Sequence, residues 1–255
     1  KRSPAGALDE CVGHMATPFD SATSLIVWTG YHAVSLLTGD PVPAGLIDTF
    51  FAHHRRALDG VFVLTPQQVD STLSVSDTLA EWCRLEKKKL VFALGKALIG
   101  ERSKGVPAQM MDWALTVVGG LQSKSRKSGT PVAQSVTTAD YTPVDGAGVH
   151  LEGDWVQVRP ELAFNVYISF GQAALHFEGL LHYMPGHGTA GETLMLVAEP
   201  VITDTFDFHF KHYDAGTGWM DHALARLQCS GDAKPFRIEG RGSSFRLTVT
   251  RPHTP

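Results

Sequence analysis

The stretch PAQMMDWALTVVGGLQSKSRKSGTP, Pro107 to Pro131, carries the decision about the fold. Its first half sets Met110, Met111, Trp113, Ala114, Val117 and Val118 at helical spacing, behind a proline suited to a first turn. Past Gly119–Gly120 the large apolar residues thin out, and Lys124, Arg126 and Lys127 interleave with Ser123, Ser125 and Ser128. The stretch predicts a helix closed by the glycine pair, then a polar connector from Gln122 to Val149.

Upstream, apolar residues keep the helical period. Ser21 or Ser24 can cap a helix that ends near Gly39–Asp40–Pro41. Pro43 opens a second helix through Leu58, with Leu46, Ile47, Phe50, Phe51 and Leu58 as its stripe and Asp59–Gly60 as its stop. Val61 to Leu64 is too short to classify. Thr65–Pro66 reads as an N-cap with a first-turn proline, and Ser76 with Asp77 as another helix start. Leu79, Trp82, Cys83, Leu85, Leu90, Phe92, Leu94 and Leu98 extend that last pattern, giving enough apolar surface for a bundle.

Downstream, the period drops to two. Phe164, Val166, Ile168 and Phe170 alternate with Asn165, Tyr167 and Ser169, and Leu175–Met184, Leu194–Val201 and Phe206/Phe208/Phe210 follow as strands. Gly216–Leu227 reads as a short helix. Phe236–Glu239 and Phe245–Val249 read as a closing hairpin over Gly240–Arg241–Gly242. The predicted fold is α+β: a helical module (1–121), a polar basic connector (122–149) and an antiparallel β module (150–255), either a sandwich or a curved sheet. The second arrangement is one continuous domain with the helices on one side of the sheet.

Composition fits a soluble globular protein, with 43% hydrophobic and 19% charged residues in 255. No apolar run reaches the roughly 18 residues of a membrane span. Lys1 and Arg2 lead into Pro4 and Gly6, with no apolar core of a secretory signal. Cys11, Cys83 and Cys229 are dispersed and odd in number, which points to separate thiols in a reducing, cytoplasmic setting.

The net charge of −4 is unevenly spread. Residues 151–232 hold three basic against eleven acidic side chains, and residues 233–255 five against one. That asymmetry, with the basic connector, predicts a non-enzymatic assembly protein that self-associates into a homo-oligomer. The surface it would contact is anionic, either nucleic acid or an acidic membrane, as in a viral matrix, capsid or nucleoprotein component. The anion-binding candidates are Lys87, Lys88 and Lys89, the connector's Lys124, Arg126 and Lys127, and Arg237, Arg241 and Arg246 on the hairpin. His53–His54–Arg55–Arg56 is a further cationic stretch.

No HExxH, CxxC or GxSxG pattern occurs, and Gly95, Gly100 and Gly105 sit five apart within or after a helix without GxGxxG or GK(S/T), so no cofactor is implied. His176, His182 and His187, six and five residues apart, are the nearest approach to a metal set, and a zinc site needs three or four converging ligands. An enzymatic alternative is a hydrolase built on His176, Glu178, His182 and His187, with Asp207 and His209 on the next polar strand face. A third reading is a small-ligand or carbohydrate module with Trp155, Tyr167, Tyr183 and Trp219 as platforms.

Overall fold

A computed structural model describes residues 18–52, 61–75, 77–141, 154–157, 172–186, 191–206, 208 and 218–251. The fold is α+β, with helices in the N-terminal half and six strands of a mixed sheet in the C-terminal half. In chain order the elements are α1 (Pro18–Thr38), α2 (Val42–Ala52), β1 (Val61–Leu64), α3 (Pro66–Val75), α4 (Asp77–Leu98) and α5 (Ala108–Ser128). Then come β2 (Val132–Thr137), a 3-10 turn (Thr138–Tyr141), β3 (Asp154–Gln157), β4 (Gln172–Met184), β5 (Thr193–Phe206), α6 (Gly218–Ser230), β6 (Phe236–Arg241) and β7 (Phe245–Thr250). The predicted strand at Phe164–Phe170 and the cationic stretch at 53–56 lie outside the described residues.

Two compact units divide the chain. One holds Lys1–Gln68, Gln157–Ala173 and Thr203–Gly240; the other holds Val69–Val156, Ala174–Ile202 and Arg241–Pro255.

In the first unit α1 packs against α2 and α6. Leu46, Ile47 and Phe50 are fully buried, as the helical stripe requires. Phe50 meets Phe206 and Phe208 edge to face at 5.6 and 5.2 Å, and Phe206 stacks on Phe236 at 5.3 Å. Thr65 and Gln68 form the predicted cap: the Gln68 backbone N–H donates to Thr65 Oγ1, and the Thr65 N–H donates to Gln68 Oε1. The short run Val61–Leu64 is a strand, paired in parallel with β6 from Val61↔Arg237 to Leu64↔Gly240. That parallel pair makes the sheet mixed, where the sequence predicts an antiparallel module.

Cys229, on α6, is disulfide-bonded, whereas Cys83 is a free thiol. The expectation of three separate thiols is thereby corrected. Dispersed, odd-numbered spacing cannot report pairing that folding creates between distant positions.

In the second unit α4 packs along α5, α4 also meets β7, and α5 meets β2. Leu90, Leu94, Leu98, Met110, Met111, Leu121, Phe177 and Leu181 are buried together. The glycine pair does not end α5: the helix continues through SKSRKS to Ser128, and β2 follows within four residues. Helix interiors tolerate glycine at about 1 kcal/mol each. Here Val118, Leu121 and Ser125 continue the buried stripe past the pair. Ser125 satisfies its buried hydroxyl by donating to the Thr130 carbonyl, and Gly129 closes the helix at φ 69°. Gln122 reaches back to donate to the Leu98 carbonyl at the end of α4. The first part of the predicted connector is thus packed structure; residues 142–149 lie outside those described.

The predicted β6–β7 hairpin does not form. β7 pairs antiparallel with β5, from Thr193↔Thr250 to Ala198↔Phe245. The Gly242 N–H donates to the Pro200 carbonyl, and Ser243 is held by Asp70, so the segment is fixed to other elements instead of folding into a two-strand turn. Among the described residues no helix is long and apolar enough to cross a membrane.

Candidate functional site

The site is built on β4. Successive strand residues face opposite sides, and Phe177, Leu181 and Tyr183 all enter the core. His176, Glu178, Leu180 and His182 therefore share the other face. The pairing with β2 sets Thr137 opposite Glu178, Ser135 opposite Leu180 and Ala133 opposite His182. Leu180 is 45% exposed, whereas His176 is only 5% exposed.

His176 Nε2 lies 3.0 Å from Glu178 Oε1. A carboxylate only accepts, so Nε2–H is the donor and the ring is fixed in that tautomer. Nδ1 is left as an acceptor, buried and without a hydrogen-bond partner. An unmet buried polar atom costs about 1–3 kcal/mol.

On its other oxygen Glu178 accepts from Arg241 Nη2 at 2.5 Å. Burial pushes the Glu178 carboxyl up, but the hydrogen bonds and charges of His176 and Arg241 outweigh it and hold the group below its ordinary range. Glu178 thus stays ionised near neutrality. A buried imidazole, oriented by an ionised carboxylate that is itself clamped by a guanidinium, can take up and return a proton at Nδ1.

Gly179 lies between these residues on the opposite face, where a Cβ would stand 2.1 Å from the Val197 carbonyl oxygen and 2.5 Å from Ala198 Cα. Only glycine lets β4 approach β5 so closely.

His182 does not join this cluster. It stands six positions along the strand from His176, about 20 Å on an extended chain. Among the described residues no three His, Cys, Asp or Glu side chains could together hold a metal ion. His187, Asp207 and His209 lie outside the described residues. So do the side chains of Trp155, Tyr167 and Trp219. Tyr183, the remaining candidate platform, is 3% exposed, and its hydroxyl donates to Glu192 Oε1 at 2.9 Å. Burial, then that bond to Glu192, pushes its phenol up to about 12, so it is a core residue and no ligand platform.

The basic candidates lie on α4, α5, β6 and β7. Lys87 stands over the Phe245 ring at 4.1 Å, and Lys89 pairs with the buried Glu86 at 3.1 Å. Lys88 is exposed on α4. Lys124 donates to Gln134 across to β2, and Arg126 and Lys127 occupy the last turn of α5, where cations complement the helix dipole. Arg237 pairs with Glu239 at 2.8 Å on β6, Arg241 holds Glu178, and Arg246 is exposed on β7. The i, i+2 spacing of His176 and Glu178 on a strand was the readable signal. Asp70, which anchors the segment after Arg241, left none, since it is 173 residues from its partner Ser243.

No family model matches the chain, and no curated protein matches it. Among solved structures it matches PaeM, a colicin M-like bacteriocin produced by Pseudomonas aeruginosa. That match has a TM-score of 0.23 and 12% identity, over 84% of this chain and 88% of that one. The expected function as a non-enzymatic viral assembly protein is withdrawn: the protein matched is a bacteriocin, and at this TM-score the match assigns no role to the chain.

Proposed function

We propose that the chain is a hydrolase-type enzyme in which His176 is the acid–base group and Glu178 its orienting carboxylate. One observation carries this reading: Nδ1 of His176 is buried and unpartnered while Nε2 is committed to Glu178. In the proposed step Nδ1 takes a proton from an attacking water or hydroxyl as the new bond to the substrate forms. The imidazolium that results is stabilised by the Glu178 carboxylate, and it returns the proton to the leaving group as the scissile bond breaks. Arg241 keeps Glu178 ionised and correctly rotated throughout.

The test is a screen of the purified chain against chromogenic carboxylic esters, phosphoesters, glycosides and peptides, in parallel with His176→Gln. Turnover in one class that falls about 10²- to 10⁴-fold in His176→Gln, with the fold intact by circular dichroism, is the expected result. Turnover that survives the substitution, or a folded wild-type chain inert toward all four classes, overturns the proposal.

A further inference from the structure

The residues behind Arg241 form a continuous line of contacts that ends on a different secondary-structure element. Asp70 sits on α3 and grips the chain just after β6 with both carboxylate oxygens. Oδ1 accepts from the Ser243 backbone N–H at 2.8 Å, and Oδ2 accepts from Ser243 Oγ at 2.5 Å. One residue earlier, the Gly242 N–H donates to the Pro200 carbonyl at 2.9 Å. Gly242 is also tightly confined, since a Cβ there would lie 2.6 Å from Asp70 Oδ1 and 2.8 Å from Pro200 Cγ. The next residue back is Arg241, whose Nη2 holds Glu178, which holds His176.

Arg241 itself is 56% exposed on its side chain. An arginine so wet has many rotamers, and an exposed ion pair alone holds little, about 0–1 kcal/mol. What confines it is its backbone, fixed at the two following residues by three hydrogen bonds.

We infer that Asp70 is a positioning residue for the acid–base pair: by pinning Gly242 and Ser243 it places the Arg241 guanidinium on Glu178, which fixes the tautomer of His176. This inference rests on the hydrolase reading for its catalytic meaning, but its geometry is measurable without any substrate.

The experiment follows the Glu178 side-chain carboxyl and the His176 ring nitrogens by NMR in the full chain. The variants are Asp70→Ala, Asp70→Asn, Gly242→Ala and Arg241→Gln. In the wild type Arg241 helps to hold Glu178 below its ordinary range, so its release moves the Glu178 titration midpoint upward. Asp70→Ala is expected to move it up and to admit the Nδ1–H tautomer of His176. Gly242→Ala, which crowds the Asp70 carboxylate, is expected to do the same with Asp70 present. Asp70→Asn keeps an acceptor for the Ser243 N–H and is expected to restore most of the wild-type behaviour. Asp70→Ala combined with Arg241→Gln is expected to move Glu178 no further than Arg241→Gln alone, as for residues acting in one line.

An unchanged Glu178 midpoint in folded Asp70→Ala and Gly242→Ala, or full additivity in the double variant, overturns the inference. If Asp70→Ala proves too unstable to titrate, Ser243→Ala removes only the exposed hydroxyl contact, and a smaller upward shift there is the required result. Once a substrate is in hand, Asp70→Ala is expected to lower kcat about 10- to 100-fold at little cost in KM and to move the acid limb of the pH profile upward. Failure of the hydrolase reading removes that activity readout but leaves the Glu178 titration intact, so the two ideas fail separately.

Discussion

The two faces of β4 answer to different demands although they share one backbone. On one face Phe177, Leu181 and Tyr183 are buried at 1%, 0% and 3% exposure, and the Phe177 ring meets Trp82 at 5.2 Å and Phe245 at 4.9 Å. On the other, His176 and Glu178 leave the apolar contacts to their neighbours and trade hydrogen bonds with each other and with Arg241. The contrast teaches where rigidity comes from. The polar face has little apolar area to hold it in place, so its geometry is borrowed from the packing behind it. Phe177→Ala tests this most severely. It should cost about 3–5 kcal/mol in urea unfolding, from lost transfer energy and the cavity left between Trp82 and Phe245. A loss under about 1 kcal/mol would mean that this face is not the anchor, and the comparison would collapse.

Gly179 lies on the core-facing side of β4, between Phe177 and Leu181. A methyl group there meets the Val197 carbonyl oxygen and Ala198 Cα, both backbone, so the conflict cannot be relieved by a rotamer change. Gly179→Ala should separate β4 from β5 locally and cost about 1–3 kcal/mol by overpacking. Because it lies between Glu178 and Leu180, it should also disturb the His176–Glu178 pair more than its stability loss alone would. Thermal unfolding, together with the His176 ring spectrum, checks both parts. A variant as stable as the parent would show that the strands have room to adjust.

Legibility in the sequence followed the range of the interactions. The helical stripe of α2, the Thr65–Gln68 cap, the alternation of β4 and β5 and the inward Phe236 and Ile238 were all readable, since each depends on neighbours a few residues away. The α+β class followed from those alone. The continuation of α5 past Gly119–Gly120 was misread because Ser125 counts as polar in the pattern, whereas its hydroxyl is satisfied locally and it packs as a small core residue. The parallel β1–β6 pair, the missing hairpin and the Asp70–Ser243 grip are long-range, and local chemistry carries no trace of them. At the site, His176 and Glu178 were legible as an i, i+2 pair on one strand face. What could not be read was which arginine would reach them: Arg237, Arg241 and Arg246 look alike in sequence, and only Arg241 follows a backbone path that ends on Glu178.

The mildest substitution in stability separates the faces most cleanly. Glu178→Gln keeps the shape of the side chain and removes only its charge. Glu178 is one-third exposed and its partner Arg241 more so, hence the stability loss at pH 7 should be under about 1 kcal/mol, far below that of Phe177→Ala. Its pH dependence carries the information. The folded state holds the Glu178 carboxyl below its usual value near 4.5, so its contribution is present above that value and is lost as pH falls through the lower folded one. Wild type and Glu178→Gln should therefore converge in stability as the pH drops below about 4.5, whereas Phe177→Ala should keep its full deficit across the same range. Hydrolytic turnover, in contrast, should fall far more in Glu178→Gln than so small a stability loss would suggest. A Glu178→Gln gap that persists undiminished into acid would mean that His176 and Arg241 do not hold the carboxylate ionised, and the line from Arg241 through Glu178 to His176 would lose its electrostatic basis.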